Sequence, residues 1–192
     1  MPEIAIRTVW FVWWISWLAA AAWSDRTVQR PPRRHQIIYR LLAAGGAVLL
    51  FGLYRHDVAA EIVLWHTPVP IAYGMVALAG AGLLFTWWAR IHLGRLWSSS
   101  VTRKADHRVV DTGPYAIVRH PIYTGITFAA IATATLRGTA LAWLGVCVMT
   151  IGWLLKARLE ERFLREQLGA EAYDAYARRV PRLSPFGARR HS

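Results

Sequence analysis

Five apolar runs separated by short polar connections limit what this chain can fold into. They cover about 4–23, 37–54, 68–91, 122–136 and 139–155. A run of about 20 residues at about 1.5 Å per residue crosses roughly 30 Å of hydrocarbon. Inside lipid every backbone N–H and C=O must bond within its own segment, so such runs become helices. The expected fold is therefore an all-α integral membrane protein with about five transmembrane helices. The fourth run is short and should dip below the headgroups at one end. Only Arg137 and Gly138 join the last two runs, which predicts a tight antiparallel hairpin. From Lys156 the last helix continues as a tail, with Leu155, Leu159 and Phe163 on one stripe. Gly169 stops it, and residues 170–179 form a second short helix. Gly45, Gly46, Gly74, Gly80 and Gly82 offer close helix packing.

Charge gives the orientation. The connections carry four Lys and Arg, then one, then six counting Arg90, then one, and the tail carries nine. Basic connections stay cytoplasmic, so the N-terminus faces outward and the helical C-terminal tail is cytoplasmic. A net charge of +12 would point to nucleic acid in a soluble chain. Here the charge lies between apolar runs, so the bilayer with its anionic headgroups is the partner, with no nucleic acid. The 11 tryptophans cluster near the ends of apolar runs, as interfacial belts do. Ala20–Ala22 resembles a signal-cleavage site, but Glu3 and the later runs make the first run a span. Cys147 is the lone cysteine and reads as a small buried hydrophobe.

Chemistry concentrates in residues 113–125, which hold Gly113, Tyr115, Arg119, His120, Pro121, Tyr123 and Gly125. Pro121 suits the first turn of a helix, with His120 near its cap. A helix start leaves free N–H groups and a partial positive charge that favour an anion. Gly125 removes a side chain where a ligand can approach the backbone. The plainer reading is a juxtamembrane loop with Arg119 and two tyrosines at the headgroups. Glu160 and Glu161 form the second cluster. Glu161 can pair along its own helix with Arg158 and Arg165. It can also serve a site, because the hairpin brings residues 119–123 beside residues 160 and 161. No HxxxH or HExxH spacing, P-loop or GxGxxG fingerprint occurs, so no metal and no ordinary nucleotide motif is expected.

In order and spacing these pieces resemble the isoprenylcysteine carboxyl methyltransferase family, within the membrane methyltransferases that include phospholipid methyltransferases. The resemblance runs from about Leu93 to Phe186. It rests on residues 93–98, on His107 through Gly113, Pro114 and Tyr115, and on Arg119 through Gly125. Glu160, Glu161 and Leu164 meet its E-E-x-x-L pattern, and residues 169–185 approximate its tail. The resemblance implies S-adenosylmethionine as cofactor and methyl transfer to an amphiphilic acceptor from the membrane, of which a prenylcysteine-type carboxylate is one. By position, His107, Gly113, Tyr115, His120, Pro121, Tyr123, Gly125, Glu160 and Leu164 line the cofactor site. Arg119 and Glu161 lie nearest the reacting groups. A carboxylate acceptor needs no general base, whereas an amine or thiol requires one such as Glu161. Residues 1–88 then serve as scaffold and 89–192 as the cofactor-binding and catalytic region of one membrane domain. The active site faces the cytoplasm, from the cell inner membrane in a bacterium.

Two other readings remain at this point. One is an NADPH-dependent membrane reductase of the sterol-reductase type, in which Asn replaces Ile122. The other is a non-enzymatic lipid-binding membrane protein. For the methyltransferase, the acceptor is expected to enter sideways from the inner leaflet. Gly80, Gly82, Gly125 and Ala129 would then leave room for its chain.

Overall fold

Proline and glycine punctuation sets most of the helix boundaries. The computed structural model describes residues 1–21, 33–53, 61–94 and 110–185. Among the described residues seven helices follow in order: α1 (Pro2–Ala21), α2 (Arg33–Phe51), α3 (Val69–Leu93), α4 (Pro114–Ile117), α5 (Pro121–Arg137), α6 (Ala140–Leu168) and α7 (Ala170–Arg179). Among the described residues the rest is connection, with one isolated bridge between Val63 and Thr139. Pro121 stands in the first turn of α5 behind the N-cap His120. Gly138 closes α5 in the left-handed conformation, φ 64°, and its N–H donates to the Ala134 carbonyl at 2.9 Å. Thr139 then caps α6 by accepting from the Ala142 amide at 3.4 Å.

Among the described residues two helices, Val69–Leu93 and Ala140–Gln167, are long and apolar enough to cross a membrane. The outer surface carries many large apolar side chains, among them Phe11, Trp14, Leu41, Leu84, Ile91 and Ile151. Extensive exposed apolar surface of this kind suits lipid rather than water. Together with the two long apolar helices, this points to a membrane protein.

Inside, helices meet through small residues. Gly82 on α3 and Gly125 on α5 cross backbone to backbone. A Cβ built on Gly82 would lie 2.7 Å from the Gly125 carbonyl oxygen and 3.2 Å from the Ala129 nitrogen. Gly46 on α2 and Gly145 on α6 make the matching crossing. This corrects the lipid-groove expectation. Gly82, Gly125 and Ala129 are filled by the neighbouring helix, and only Gly80 faces open space. The tryptophans differ from expectation too, because several work between helices. Trp10 Nε1 donates to Thr133 Oγ1 at 2.9 Å, Trp13 Nε1 to Thr86 Oγ1 at 2.7 Å, and Trp87 Nε1 to Ser16 Oγ at 3.2 Å. An indole N–H among apolar helices needs a partner, and hydroxyls on facing helices supply it.

At the end away from the histidine cap, Arg137 ties three segments. It donates to the Leu50 carbonyl at 2.8 Å and pairs with Glu61 at 2.5 Å. The Ala140 amide donates to Ile62, and the Leu64 and Trp65 amides donate to Gly138. At the other end, fully buried Arg90 donates to the Gly94 carbonyl at 2.8 Å and to the Ala20 carbonyl at 2.9 Å, fastening α1 to α3.

Candidate active site at the start of helix α5

The two-residue link between α5 and α6 brings residues 119–123 against residues 156–161. His120 Nδ1 lies 3.4 Å from Glu160 Oε2, and His120 Nε2 lies 3.1 Å from Glu161 Oε1. A neutral imidazole has one N–H and one lone pair, and a carboxylate oxygen accepts only. Carboxylates on both ring nitrogens therefore call for the imidazolium form. Burial alone drives the His120 pKa down, but the bonds to Glu160 and Glu161 outweigh it and hold the pKa above the ordinary value.

Glu161 is the hub. Its Oε1 lies 3.1 Å from Arg119 Nη2 and accepts from His120 Nε2 and, at 2.9 Å, from Arg182 Nε. Its Oε2 accepts from Arg182 Nη2 at 2.6 Å. The bond to Glu161 raises the Arg182 pKa above the usual guanidinium value. The alternative pairing along α6 is not used: Arg165 reaches Asp174 at 2.6 Å instead. Glu160 accepts from the Tyr123 hydroxyl at 2.7 Å and lies 3.9 Å from Lys156 Nζ. Four cations thus meet two carboxylates: Arg119, His120, Lys156 and Arg182 against Glu160 and Glu161.

Aromatic faces complete the cluster. The Tyr123 ring stacks between His120, 5.4 Å between centroids, and Trp153, 5.3 Å. Lys156 Nζ sits 5.2 Å from the Tyr123 ring and 5.5 Å from the Tyr39 ring. Arg119 also donates through Nη1 to the Ala177 carbonyl at 2.7 Å. Its Nε is buried with no hydrogen-bond partner among the described residues. An orphaned buried donor of this kind calls for an acceptor beyond the described residues.

The other expected residues divide. Gly113, φ 56°, precedes α4, and a Cβ there would strike the His92 ring. Tyr115 is buried, stacks on His92 at 6.4 Å, and its carbonyl accepts from the Tyr176 hydroxyl at 2.8 Å. Burial pushes the Tyr115, Tyr173 and Tyr176 hydroxyls up, so they stay protonated. Pro121 is buried at the first turn. Gly125 faces α3, where Gly82 and Thr86 meet it, so helix packing accounts for its missing side chain. Leu164 packs with Tyr173, Tyr176 and Val180. His107 lies outside the described residues. Among the described residues no group of three or more potential ligands could hold a metal ion.

The free N–H groups expected before α5 are partly taken. The Arg119 amide donates to the Pro181 carbonyl and the His120 amide to the Arg182 carbonyl. Sequence reasoning missed the roles of Arg182, Lys156 and His92. Lys156 stands one turn before Glu160, an i,i+4 spacing that was there to find.

Residues 75–166 match the model of the isoprenylcysteine carboxyl methyltransferase family. The protein-S-isoprenylcysteine O-methyltransferase B of Arabidopsis thaliana is 30% identical over 89 residues, which are 45% of this chain and 44% of that protein. A probable protein-S-isoprenylcysteine O-methyltransferase of Oryza sativa subsp. indica is 30% identical over 112 residues, 58% of this chain and 53% of that protein. The chain spans about half the length of these curated relatives. The matched segment carries Arg119, His120, Tyr123, Glu160 and Glu161, and over that segment the chain is similar to the isoprenylcysteine carboxyl methyltransferase family.

Proposed function

We propose that the protein is an integral membrane methyltransferase that uses S-adenosylmethionine and methylates the carboxylate of an amphiphilic, prenylcysteine-type acceptor. The observation that carries the choice of acceptor is the state of Glu161. Two guanidiniums and an imidazolium already hold its carboxylate. A carboxylate so engaged is a poor proton acceptor. An amine or thiol must lose a proton during transfer, whereas a carboxylate is ionised at neutral pH and gives none up. The surplus of cations and the orphaned Arg119 Nε favour an anionic group. Arg119 is thus the residue we assign to the reacting carboxylate, and Glu161 the residue that orients Arg119.

The residues also fit the cofactor's chemistry. When bound, S-adenosylmethionine supplies a methyl group on a positively charged sulfur. The Tyr123 ring is covered by His120 and Trp153, so the ring face for that cation falls to Tyr115, and Glu160 suits the cofactor's ammonium. His120, Pro121, Gly113 and Gly125 shape the turn that carries these groups, and Leu164 backs it from the tail. Residues 89–192 form the cofactor-binding and catalytic region, with 1–88 as scaffold. In this reading α1, α2 and α5 cross the membrane beside the two longer helices. The N-terminus lies outside, and the site faces the cytoplasm, at the inner membrane if the cell is bacterial. At 20 residues, α1 is about 30 Å long, which matches the hydrocarbon core.

The family match favours methyl transfer over the NADPH-dependent reductase and over a passive lipid-binding role. Equilibrium binding to the detergent-solubilised protein tests this. S-adenosylmethionine and its demethylated product should bind and NADPH should not. Binding of NADPH alone would support the reductase, and binding of none would support the passive role.

A further inference from the structure

Residues 181–183, just after α7, lie across the start of α5. The Arg119 amide donates to the Pro181 carbonyl at 2.8 Å and the His120 amide to the Arg182 carbonyl at 3.1 Å. The Thr124 hydroxyl donates to the Leu183 carbonyl at 2.7 Å. Three consecutive residues are thus tethered by their backbone to one turn. The middle one then sends its side chain onto Glu161 as a two-pronged fork. Arg182 is 34% exposed, whereas Glu161 and Arg119 are each 10% exposed, so it reaches the buried cluster from the solvent side.

The division of labour at Glu161 is specific. Arg119, His120 and Arg182 all meet Oε1, whereas among the described residues Oε2 accepts from Arg182 alone. Contacts to a single oxygen leave a carboxylate free to turn about it. A second contact on the other oxygen stops that turn. Arg182 therefore fixes the plane of Glu161, and through Glu161 the direction in which Arg119 is held. These three residues lie beyond 75–166, the segment the family match covers.

We propose that residues 181–183 are a strap that holds the Arg119–His120 turn, and that Arg182 is a positioning residue for Glu161 and Arg119. The strap stands on geometry alone, while its consequence for catalysis rests on the methyltransferase reading above. Hydrogen exchange in the full-length, detergent-solubilised protein separates the two. The variants are Arg182→Ala, Arg182→Lys and Thr124→Val. Lysine keeps the charge but cannot make the fork. Losing a charge-assisted bond should speed exchange at the Arg119 and His120 amides by about tenfold or more in Arg182→Ala. Arg182→Lys and Thr124→Val should shift it less, and all three should leave residues 126–136 as protected as in wild type. In methyl-transfer assays Arg182→Ala should lower kcat by about tenfold with the acceptor KM little changed, and lysine should restore part of it. Wild-type exchange at residues 119 and 120 in Arg182→Ala would overturn the strap. Loss of protection throughout α5 in all three variants would also overturn it, since the tail would then matter for stability alone. Faster local exchange with a wild-type kcat would overturn the positioning role. Faster local exchange in a protein whose wild type transfers no methyl group would uphold the strap and sink the methyltransferase reading instead.

Discussion

His120 and Glu161 stand 41 positions apart in the chain and 3.1 Å apart in space, Nε2 to Oε1. Glu160 takes the other ring nitrogen, so one buried imidazole links two adjacent carboxylates across the α5–α6 pair.

That linkage makes stability depend on pH. The folded His120 pKa is raised above the ordinary histidine value. Its contribution is then fully present below the ordinary pKa and lost as the pH rises through the raised one. The unfolding midpoint should fall across that window. In His120→Gln the fall should shrink, because no imidazolium is left to lose its proton. The charge-assisted bond at stake is about 1.5 to 3 kcal/mol. Thermal unfolding in detergent across the window checks this. Equal pH dependence in both proteins would place the sensitive group elsewhere.

Glu161→Gln should abolish methyl transfer, lowering turnover by at least about a hundredfold. A surface ion pair would put its cost in stability under roughly 1 kcal/mol. The structure argues for more, because three cations lose their shared anion in a buried place. With Arg182 partly exposed, we expect about 2 to 4 kcal/mol. Denaturation of the folded variant measures the cost, and near-normal turnover would return Glu161 to a structural role.

Two glycines on α3 should behave in opposite ways. Gly82→Ala places a methyl group against the Gly125 backbone and should cost about 1 to 3 kcal/mol. Gly80→Ala meets nothing within 4 Å and should be neutral or stabilising by up to about 1 kcal/mol. In the Gly82 variant the cofactor Kd and acceptor KM should worsen together, since the α3–α5 crossing carries both. A loss confined to the acceptor would restore the lipid groove at this position.

Topology is open to a direct test. Reporter fusions within the 61–67 connection and after Leu183 should report opposite sides of the membrane, the second cytoplasmic. The same side for both would reject five spans with the N-terminus outside.

Much of the site was legible because it rests on local chemistry and one short link. Pro121 behind His120 marks a helix start in any context. A two-residue link implies that residues 119–123 meet residues 160 and 161, and they do. What the sequence hid was the return of the tail. Nothing in the spacing of Arg182 says that it folds back across 21 positions onto Glu161, and the nearer Arg158 and Arg165 offered a simpler pairing. Glycine in an apolar run was ambiguous for a different reason. The missing side chain at Gly82 reads the same whether a lipid or a helix fills the gap, and only the crossing with Gly125 decides it.

The central claim is that the acceptor is a carboxylate held by Arg119, with no proton taken by Glu161. The most direct measurement offers the purified protein labelled S-adenosylmethionine with an S-prenyl cysteine derivative, either as the free carboxylate or as its carboxamide. The account predicts label transfer to the carboxylate as a base-labile methyl ester, none to the carboxamide, and loss of transfer in Arg119→Ala. Transfer to an amine or thiol acceptor in preference to the carboxylate would contradict it, as would full transfer by Arg119→Ala.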